Sequence, residues 1–134
     1  MTNWYVGTEP ENVVYAVTCG SEEPFVDVAG IKYSADRGYS ESHASSDGYN
    51  KKRWNVPNTV VYQTERWNDD DFSYRIPVDT SFDSMYTIIL KFSEVYFDML
   101  DEKTFSIKIG DHYVARELDP FERSFGKFMP YDLF

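Results

Sequence analysis

Apolar and polar residues alternate along several short stretches of this chain. In the clearest stretch, residues 86–92, Tyr86, Ile88 and Leu90 fall on one face and the intervening side chains fall on the other. Because successive side chains of a β-strand point to opposite faces, this period of two indicates a strand. The same pattern predicts further strands at residues 13–18, 25–28, 31–33, 60–64, 72–78, 104–109 and 112–115, and the start of another at 129–134.

Turns and polar segments separate the predicted strands. Gly110 and Asp111 predict a tight hairpin turn, and Pro77 indicates that the strand at 72–78 lies at a sheet edge or ends there. No segment keeps helical periodicity for more than about two turns. We therefore expect an all-β fold, a two-sheet β-sandwich or jelly roll, although alternation alone does not separate a sandwich from a barrel. The polar stretch 34–58 is a long loop of the kind that is usually functional or mobile.

Length and charge narrow the classes of function. The 134 residues suffice for one domain with its own core, and 13 Lys and Arg against 23 Asp and Glu give a net charge of −10. Because an acidic chain repels phosphate backbones and anionic lipids, we expect no nucleic-acid partner and no membrane insertion.

The single cysteine and the absence of export signals bear on the compartment. Cys19 has no partner for an intrachain disulfide, and its apolar neighbours favour a structural thiol over a nucleophile. The chain has no apolar run of membrane-spanning length, no signal peptide and no Asn-x-Ser/Thr site. These absences favour the cytosol, with the endoplasmic reticulum lumen or the extracellular space as the alternative if a leader has been removed.

This sequence offers few residues that could form a metal site. The two histidines, His43 and His112, lie far apart, and with one cysteine they do not make a zinc site. The acidic run 69–71 lacks the spacing of a calcium loop, so a solvated turn is the better interpretation. We expect no metal and no cofactor.

Catalysis is also unsupported. The chain has no Gly-x-Ser-x-Gly nucleophile motif. A glycosidase pair could be drawn from Glu94 with Asp98 or Glu65, but charged residues that support a loop are the favoured interpretation. We therefore predict that the protein is not an enzyme.

Large aromatic residues stand where predicted strands give way to polar loops. Trp67 precedes Asn68 and an acidic run, Tyr96 and Phe97 precede Asp98, and Tyr49 lies in the long polar loop. An exposed ring can take the apolar face of a pyranose while polar neighbours take its hydroxyls. The other possibility is that each ring packs beneath its own loop, and composition does not decide between the two.

Two sequence blocks carry a resemblance to a known family. The more specific blocks are Tyr62-Gln63-Thr64-Glu65-Arg66 and Lys91-Phe92-Ser93-Glu94-Val95-Tyr96-Phe97. Together with shorter matching segments, they follow the order of the family's sequence from about Val13 to the end of the chain. The chain thereby resembles the malectin domain family. The resemblance implies a jelly-roll-like β-sandwich that binds glucose-type di- or oligosaccharides without catalysis.

The resemblance also implies which residues bind the sugar. Tyr96 and Phe97 match the family's Tyr-Phe pair, and Trp67 stands where the family has a tyrosine after Glu-Arg. Tyr49 is the candidate for a remaining tyrosine, although its order here is Asp-Gly-Tyr where the family has Asp-Tyr-Gly. The loops that carry these rings would be shaped by Glu65, Asn68 and Glu94.

Against the family pattern, the sequence predicts an N-terminal extension at residues 1–12 and a malectin-like domain at 13–134 that lacks the C-terminal strands. The family's C-terminal aspartate then has no counterpart. Similar domains are modules of plant receptor kinases and kinesin-like proteins. The alternative function is therefore a protein-interaction or scaffolding module, with a polypeptide partner that completes the sheet.

Overall fold

The computed structural model describes residues 13–36, 59–79, 81 and 85–134. Residues 1–12, predicted as an extension, and 37–58, most of the predicted long loop, lie outside the described residues. The described part contains a 3₁₀ helix at Thr59–Tyr62 and one short α-helix, α1 (Pro120–Arg123). Its strands are β1 (Val17–Thr18), β2 (Phe25–Val26), β3 (Lys32–Ala35), β4 (Leu90–Phe92), β5 (Phe105–Ile109), β6 (His112–Leu118) and β7 (Tyr131–Leu133). This near absence of helix confirms the predicted all-β class.

The first sheet has the order β1-β3-β2. Strand β3 pairs with β1 in parallel and with β2 in antiparallel orientation, and the rings of Phe25 and Tyr33 stack 4.7 Å apart across the antiparallel pair. Because β1 and β3 run in parallel and in register, the residues that follow them leave the sheet at the same end. The Gly20 N–H consequently donates to Asp36 Oδ2 at 3.1 Å.

The second sheet joins β4 to β7 in antiparallel orientation. Its Phe92 ring lies 5.6 Å from the Phe105 ring and 6.4 Å from the Tyr131 ring. On its edge, Asp132 accepts hydrogen bonds from the Tyr62 hydroxyl and, at 2.7 Å, from Lys91 Nζ. The sheet therefore anchors the 3₁₀ helix and fixes the point at which the chain leaves β4.

The third sheet is the β5–β6 hairpin. Gly110, at φ 57°, makes the predicted turn, and Ile109 pairs with His112 beside it. The hairpin ends at the buried Leu118, after which the Asp119 carboxylate caps α1 by accepting the Phe121 N–H at 2.8 Å. The hairpin and the final strand, β7, were predicted correctly from alternation and turn residues.

Several predicted strands differ from the structure, and β1 and β2 cover only the last two residues of the 13–18 prediction and the first two of the 25–28 prediction. Residues 60–64 belong mainly to the 3₁₀ helix, because the bonds of Tyr62 to the second sheet override the strand preference of Val60 and Val61. Residues 72–78 contain only an isolated bridge at Tyr74, and the 86–92 prediction forms a strand only from Leu90 onward. Alternation identifies residues that can be half-buried in a sheet, but in the described part most residues of these stretches have no ladder partner.

Polar side chains are among the most deeply buried groups. Glu94, Thr18 and Asp36 are the largest fully buried side chains of the described residues. A buried carboxylate must be paired or hydrogen-bonded, because desolvation otherwise strongly disfavours its charge. The partners of Glu94 and Asp36 therefore determine how the loops around them are held.

We predict that Gly20→Ala is far more destabilising than Gly30→Ala. Both glycines have positive φ, 77° and 83°, so each alanine carries a backbone cost of about 1–2 kcal/mol. Only at Gly20 would the added Cβ also fall 2.0 Å from the Glu65 carbonyl oxygen, which is backbone and cannot rotate away. Overpacking of this kind adds roughly 1–3 kcal/mol to the loss. Urea unfolding of the two variants measures the difference, and equal midpoints would contradict the close packing of Gly20 against Glu65.

Candidate functional site

The loop after β4 presents two aromatic rings on a fixed backbone. Glu94 Oε1 accepts the N–H of Tyr96 at 2.6 Å and the N–H of Phe97 at 2.9 Å, and Glu94 as a residue is 0% exposed. The two rings meet edge to face with centroids 4.9 Å apart. Tyr96 is 50% exposed, whereas Phe97 is half-buried beneath it. The Tyr96 ring is therefore open to solvent, and the Phe97 ring packs against it and supports it.

Polar groups surround the exposed ring. Lys127 Nζ donates to the Tyr96 carbonyl at 2.7 Å and to Asp98 Oδ1 at 2.8 Å. The Phe128 N–H donates to the Glu94 carbonyl at 2.7 Å, which ties the segment before β7 to the same loop. The Asp98 side chain is 78% exposed. A carboxylate and an ammonium group therefore lie beside Tyr96 with capacity for further hydrogen bonds.

A lysine compensates the buried charge of Glu94. Lys103 Nζ lies 3.0 Å from Glu94 Oε2 and 2.7 Å from Glu65 Oε2. Among the described residues, Glu94 Oε2 accepts no aligned hydrogen bond, so the ion pair is what balances this oxygen. Lys103 also lies over the Phe97 ring, 5.4 Å from its centroid. Removal of one partner from such a buried pair costs about 3–5 kcal/mol.

Trp67 lies at the end of a second fixed segment. The Thr64 hydroxyl donates to the Cys19 carbonyl at 2.9 Å, and Arg66 forms a bidentate ion pair with the buried Asp36. Trp67 follows directly and is 40% exposed. Asn68 Oδ1 accepts the Asp70 N–H at 3.2 Å, so its side chain closes the next turn.

Three ionisable groups lie together here, and the pKa values of Asp36, Tyr74 and Cys19 are all shifted. Burial acts to raise the pKa of Asp36, but hydrogen bonds from Arg66, Gly20 and Tyr74 outweigh burial and hold that pKa below its usual value of 3.8. Burial raises the pKa of the Tyr74 phenol. Burial also raises the pKa of Cys19 above 9.0, which keeps the thiol protonated and unsuited to nucleophilic chemistry.

The sequence itself matches a known family over most of its length. The model of the malectin domain matches residues 13–133. The chain belongs to the malectin domain family. It is 38% identical to human malectin over 118 residues, 85% of this chain and 39% of that protein. It is 41% identical to Malectin-B of Xenopus laevis over 117 residues, 84% of this chain and 41% of that protein.

The chain thus spans about two-fifths of the length of the malectins that it matches. A comparison with solved structures gave no significant match. Membership of this family confirms the predicted family and the β-sandwich fold class, and it agrees with the prediction that this domain is not an enzyme. None of the helices in the described part is long and apolar enough to cross a membrane.

Several predicted site residues of this malectin domain lie in one network. Tyr96 and Phe97 form the ring pair, and Glu65 is joined to them through Lys103 and Glu94. Trp67 lies two residues after Glu65. Tyr49 lies outside the described residues, so its placement stays a prediction.

Residues that sequence reasoning missed hold this network together. Lys103 follows an acidic run and Asp36 follows β3, and no local pattern marks either residue. Their bonds join positions 38 and 30 residues apart, to Glu65 and Arg66 respectively. Only knowledge of the chain's topology would have identified them.

The arrangement does not support catalysis or metal binding. Glu94 is sealed from solvent and shares one lysine with Glu65, whereas a glycosidase needs two carboxylates that face a substrate. Among the residues that the structure describes, no three His, Cys, Asp or Glu side chains gather as metal ligands. His43 lies outside that part, and His112 is exposed on β6.

We predict that Asp36→Asn lowers stability and weakens its acid dependence. At neutral pH the loss is on the order of 3 kcal/mol, because Arg66 would lose the charge of the buried Asp36 carboxylate. Since the folded pKa of Asp36 lies below the ordinary 3.8, the carboxylate stabilises the fold above that pH, and this contribution is lost as the pH falls below it.

Urea unfolding between about pH 6 and pH 2.5 tests this. The free energy of unfolding should fall less steeply with acid in Asp36→Asn than in the unaltered protein. Asp98→Asn, at a largely exposed carboxylate, is the matched control and should leave the slope nearly unchanged. An Asp36→Asn slope identical to that of the unaltered protein would show that Asp36 is not the acid-sensitive group.

Proposed function

We propose that this malectin domain binds glucose-type di- or oligosaccharides through its loop aromatics. The observation that carries the proposal is the Tyr96–Phe97 pair, whose backbone is fixed by a fully buried carboxylate while the Tyr96 ring is half exposed. A ring that is held in place before binding loses little conformational freedom when a sugar stacks on it. Packing alone does not require a tyrosine to be this rigid and this exposed.

The groups around Tyr96 suit a sugar's two kinds of surface. The ring offers an apolar face for the C–H groups of a pyranose, and the edge-to-face contact with Phe97 sets its tilt. The Tyr96 hydroxyl, the Asp98 carboxylate and Lys127 offer hydrogen-bond donors and acceptors for sugar hydroxyls. The acidic character of the chain favours neutral sugars over anionic ones.

Trp67 and Tyr49 complete the proposed set of rings. Trp67 is 40% exposed and gives a larger stacking surface than the family's tyrosine. Tyr49 is included because of the family resemblance. In this proposal Glu65, Asn68 and Glu94 shape the loops and do not contact the sugar, since Glu94 is sealed from solvent and Asn68 closes its own turn.

An exposed apolar stretch favours polypeptide binding as the second candidate function. Five of its residues are 39–47% exposed, namely Ile76, Val78, Tyr86, Ile88 and Ile89. Met85 is 99% exposed. Exposed apolar residues that lie near one another are typical of interaction surfaces. A polypeptide seated on this stretch would agree with the scaffolding role expected from the sequence.

We predict that maltose or nigerose shifts the NMR signals of the Tyr96 and Phe97 rings and of the Trp67 indole in a saturable way. Tyr96→Ala should weaken the binding at least about tenfold, because truncation of a central aromatic residue commonly costs more than 1.4 kcal/mol. Tyr113→Ala is the matched control, since Tyr113 is 44% exposed on the β5–β6 hairpin and lies outside the proposed site. The dissociation constant should be unchanged in this control.

The same titration distinguishes the two candidate functions. Binding that is lost equally in both tyrosine variants would indicate non-specific association with exposed rings. A folded protein that shows no shift with either disaccharide would contradict the carbohydrate proposal. Light scattering then tests for self-association through the exposed apolar stretch, which Met85→Glu with Ile88→Glu should abolish.

A further inference from the structure

One ammonium group links the two segments that carry the exposed rings. Lys103 Nζ contacts Glu65 Oε2 at 2.7 Å and Glu94 Oε2 at 3.0 Å. Glu65 lies two residues before Trp67, and Glu94 holds the backbone N–H groups of Tyr96 and Phe97. Within the described residues the contacts thus run from one ring-bearing segment to the other through a single side chain.

The Trp67 end of this link is held firmly. The Glu65 carbonyl lies so close to Gly20 that a Cβ there would clash with it, and the neighbouring Arg66 is paired with the buried Asp36. The Lys103–Glu65 ion pair is therefore one of three contacts that hold the segment leading into Trp67, and it is the one that acts on the Glu65 side chain. The Lys103 side chain is only 20% exposed, so water weakens its two ion pairs less than it would at an open surface.

The Tyr96 end is held equally firmly. Glu94 is 0% exposed, and both of its oxygens are committed, one to the two N–H groups and the other to Lys103. Lys103 also lies over the Phe97 ring. A change at Lys103 therefore reaches the ring pair through its backbone and through its supporting ring.

We propose that Lys103 is the positioning residue that couples Trp67 to the Tyr96–Phe97 pair, so that the two segments act on one saccharide. The inference rests on the proposed carbohydrate function and extends it. A saccharide that contacts both ring-bearing segments gains more from their coupling when it has two sugar units than when it is a single glucose unit. The coupling consequently sets a preference for disaccharides without any contact between Lys103 and the sugar.

The experiment compares the affinities for nigerose and for methyl α-glucoside in four variants. Glu65→Gln removes the Trp67 side of the link and leaves the buried Glu94–Lys103 pair intact. Lys103→Met removes both sides, and Lys103→Arg keeps a cation that can reach both carboxylates. Lys108→Met is the matched control, because the Lys108 ammonium lies over the Tyr113 ring on the β5–β6 hairpin, 4.6 Å from its centroid.

We expect Glu65→Gln and Lys103→Met to weaken nigerose binding about tenfold while methyl α-glucoside binding stays within roughly twofold. Lys103→Arg should keep most of the preference for nigerose, and Lys108→Met should keep all of it. A general loss of structure would weaken both ligands together, so the ratio of the two affinities isolates positioning. Full nigerose preference in folded Glu65→Gln and Lys103→Met would overturn the inference.

A measurement without sugar separates this inference from the proposed function. In Glu65→Gln, the indole N–H signal of Trp67 should shift while the amide signals of Tyr96 and Phe97 stay near their original positions. In Lys103→Met all three should shift. If the unaltered protein binds no saccharide, the proposed function fails. Independently of that result, unchanged Trp67 and Tyr96 signals in both variants would overturn the coupling.

Discussion

The site depends on the burial of one negative charge. Glu94 lies at the end of β4, entirely out of water, where an uncompensated carboxylate would be strongly disfavoured. Two backbone N–H groups and one lysine satisfy it, and these same three contacts fix the Tyr96–Phe97 backbone and connect it to Glu65. The requirement to compensate a buried charge and the requirement to hold the proposed binding loop are therefore met by the same atoms. An apolar residue at this position could fill the space but could not orient the loop.

The second buried carboxylate organises the other half of the site in the same way. Asp36 receives bonds from Gly20, Arg66 and Tyr74, which come from three separate parts of the chain. The parallel pairing of β1 with β3 brings Gly20 and Asp36 together, and the Arg66 pair then places Trp67. The core of the described part contains few buried apolar side chains, among them Tyr33, Tyr62, Val95 and Leu118. Directional polar contacts thus determine much of the placement of these segments, as the proposed binding site requires if it is to be rigid before its ligand arrives.

Local features of the sequence predicted local features of the structure. The β5–β6 hairpin was predicted because alternation and the Gly110 turn both lie within a few residues, and the aromatic pair was found because it stands at a strand end. The predictions at 60–64 and 72–78 were wrong because a strand needs a partner, and partner choice depends on residues far away in the chain. For the same reason Lys103 and Asp36 escaped notice, since each gains its role from a residue at least 30 positions distant. The family resemblance supplied the sandwich fold and the proposed class of ligand, which alternation could not.

The central claim is that a preformed aromatic pair, held by the buried Glu94, receives the saccharide. A crystal structure of the domain with nigerose tests this most directly. The account predicts a pyranose ring stacked on the exposed face of Tyr96, with the Glu94 bonds to the Tyr96 and Phe97 N–H groups as short as the 2.6 and 2.9 Å found without sugar. A sugar bound elsewhere, or a loop that rearranges around an exposed Glu94, would contradict it.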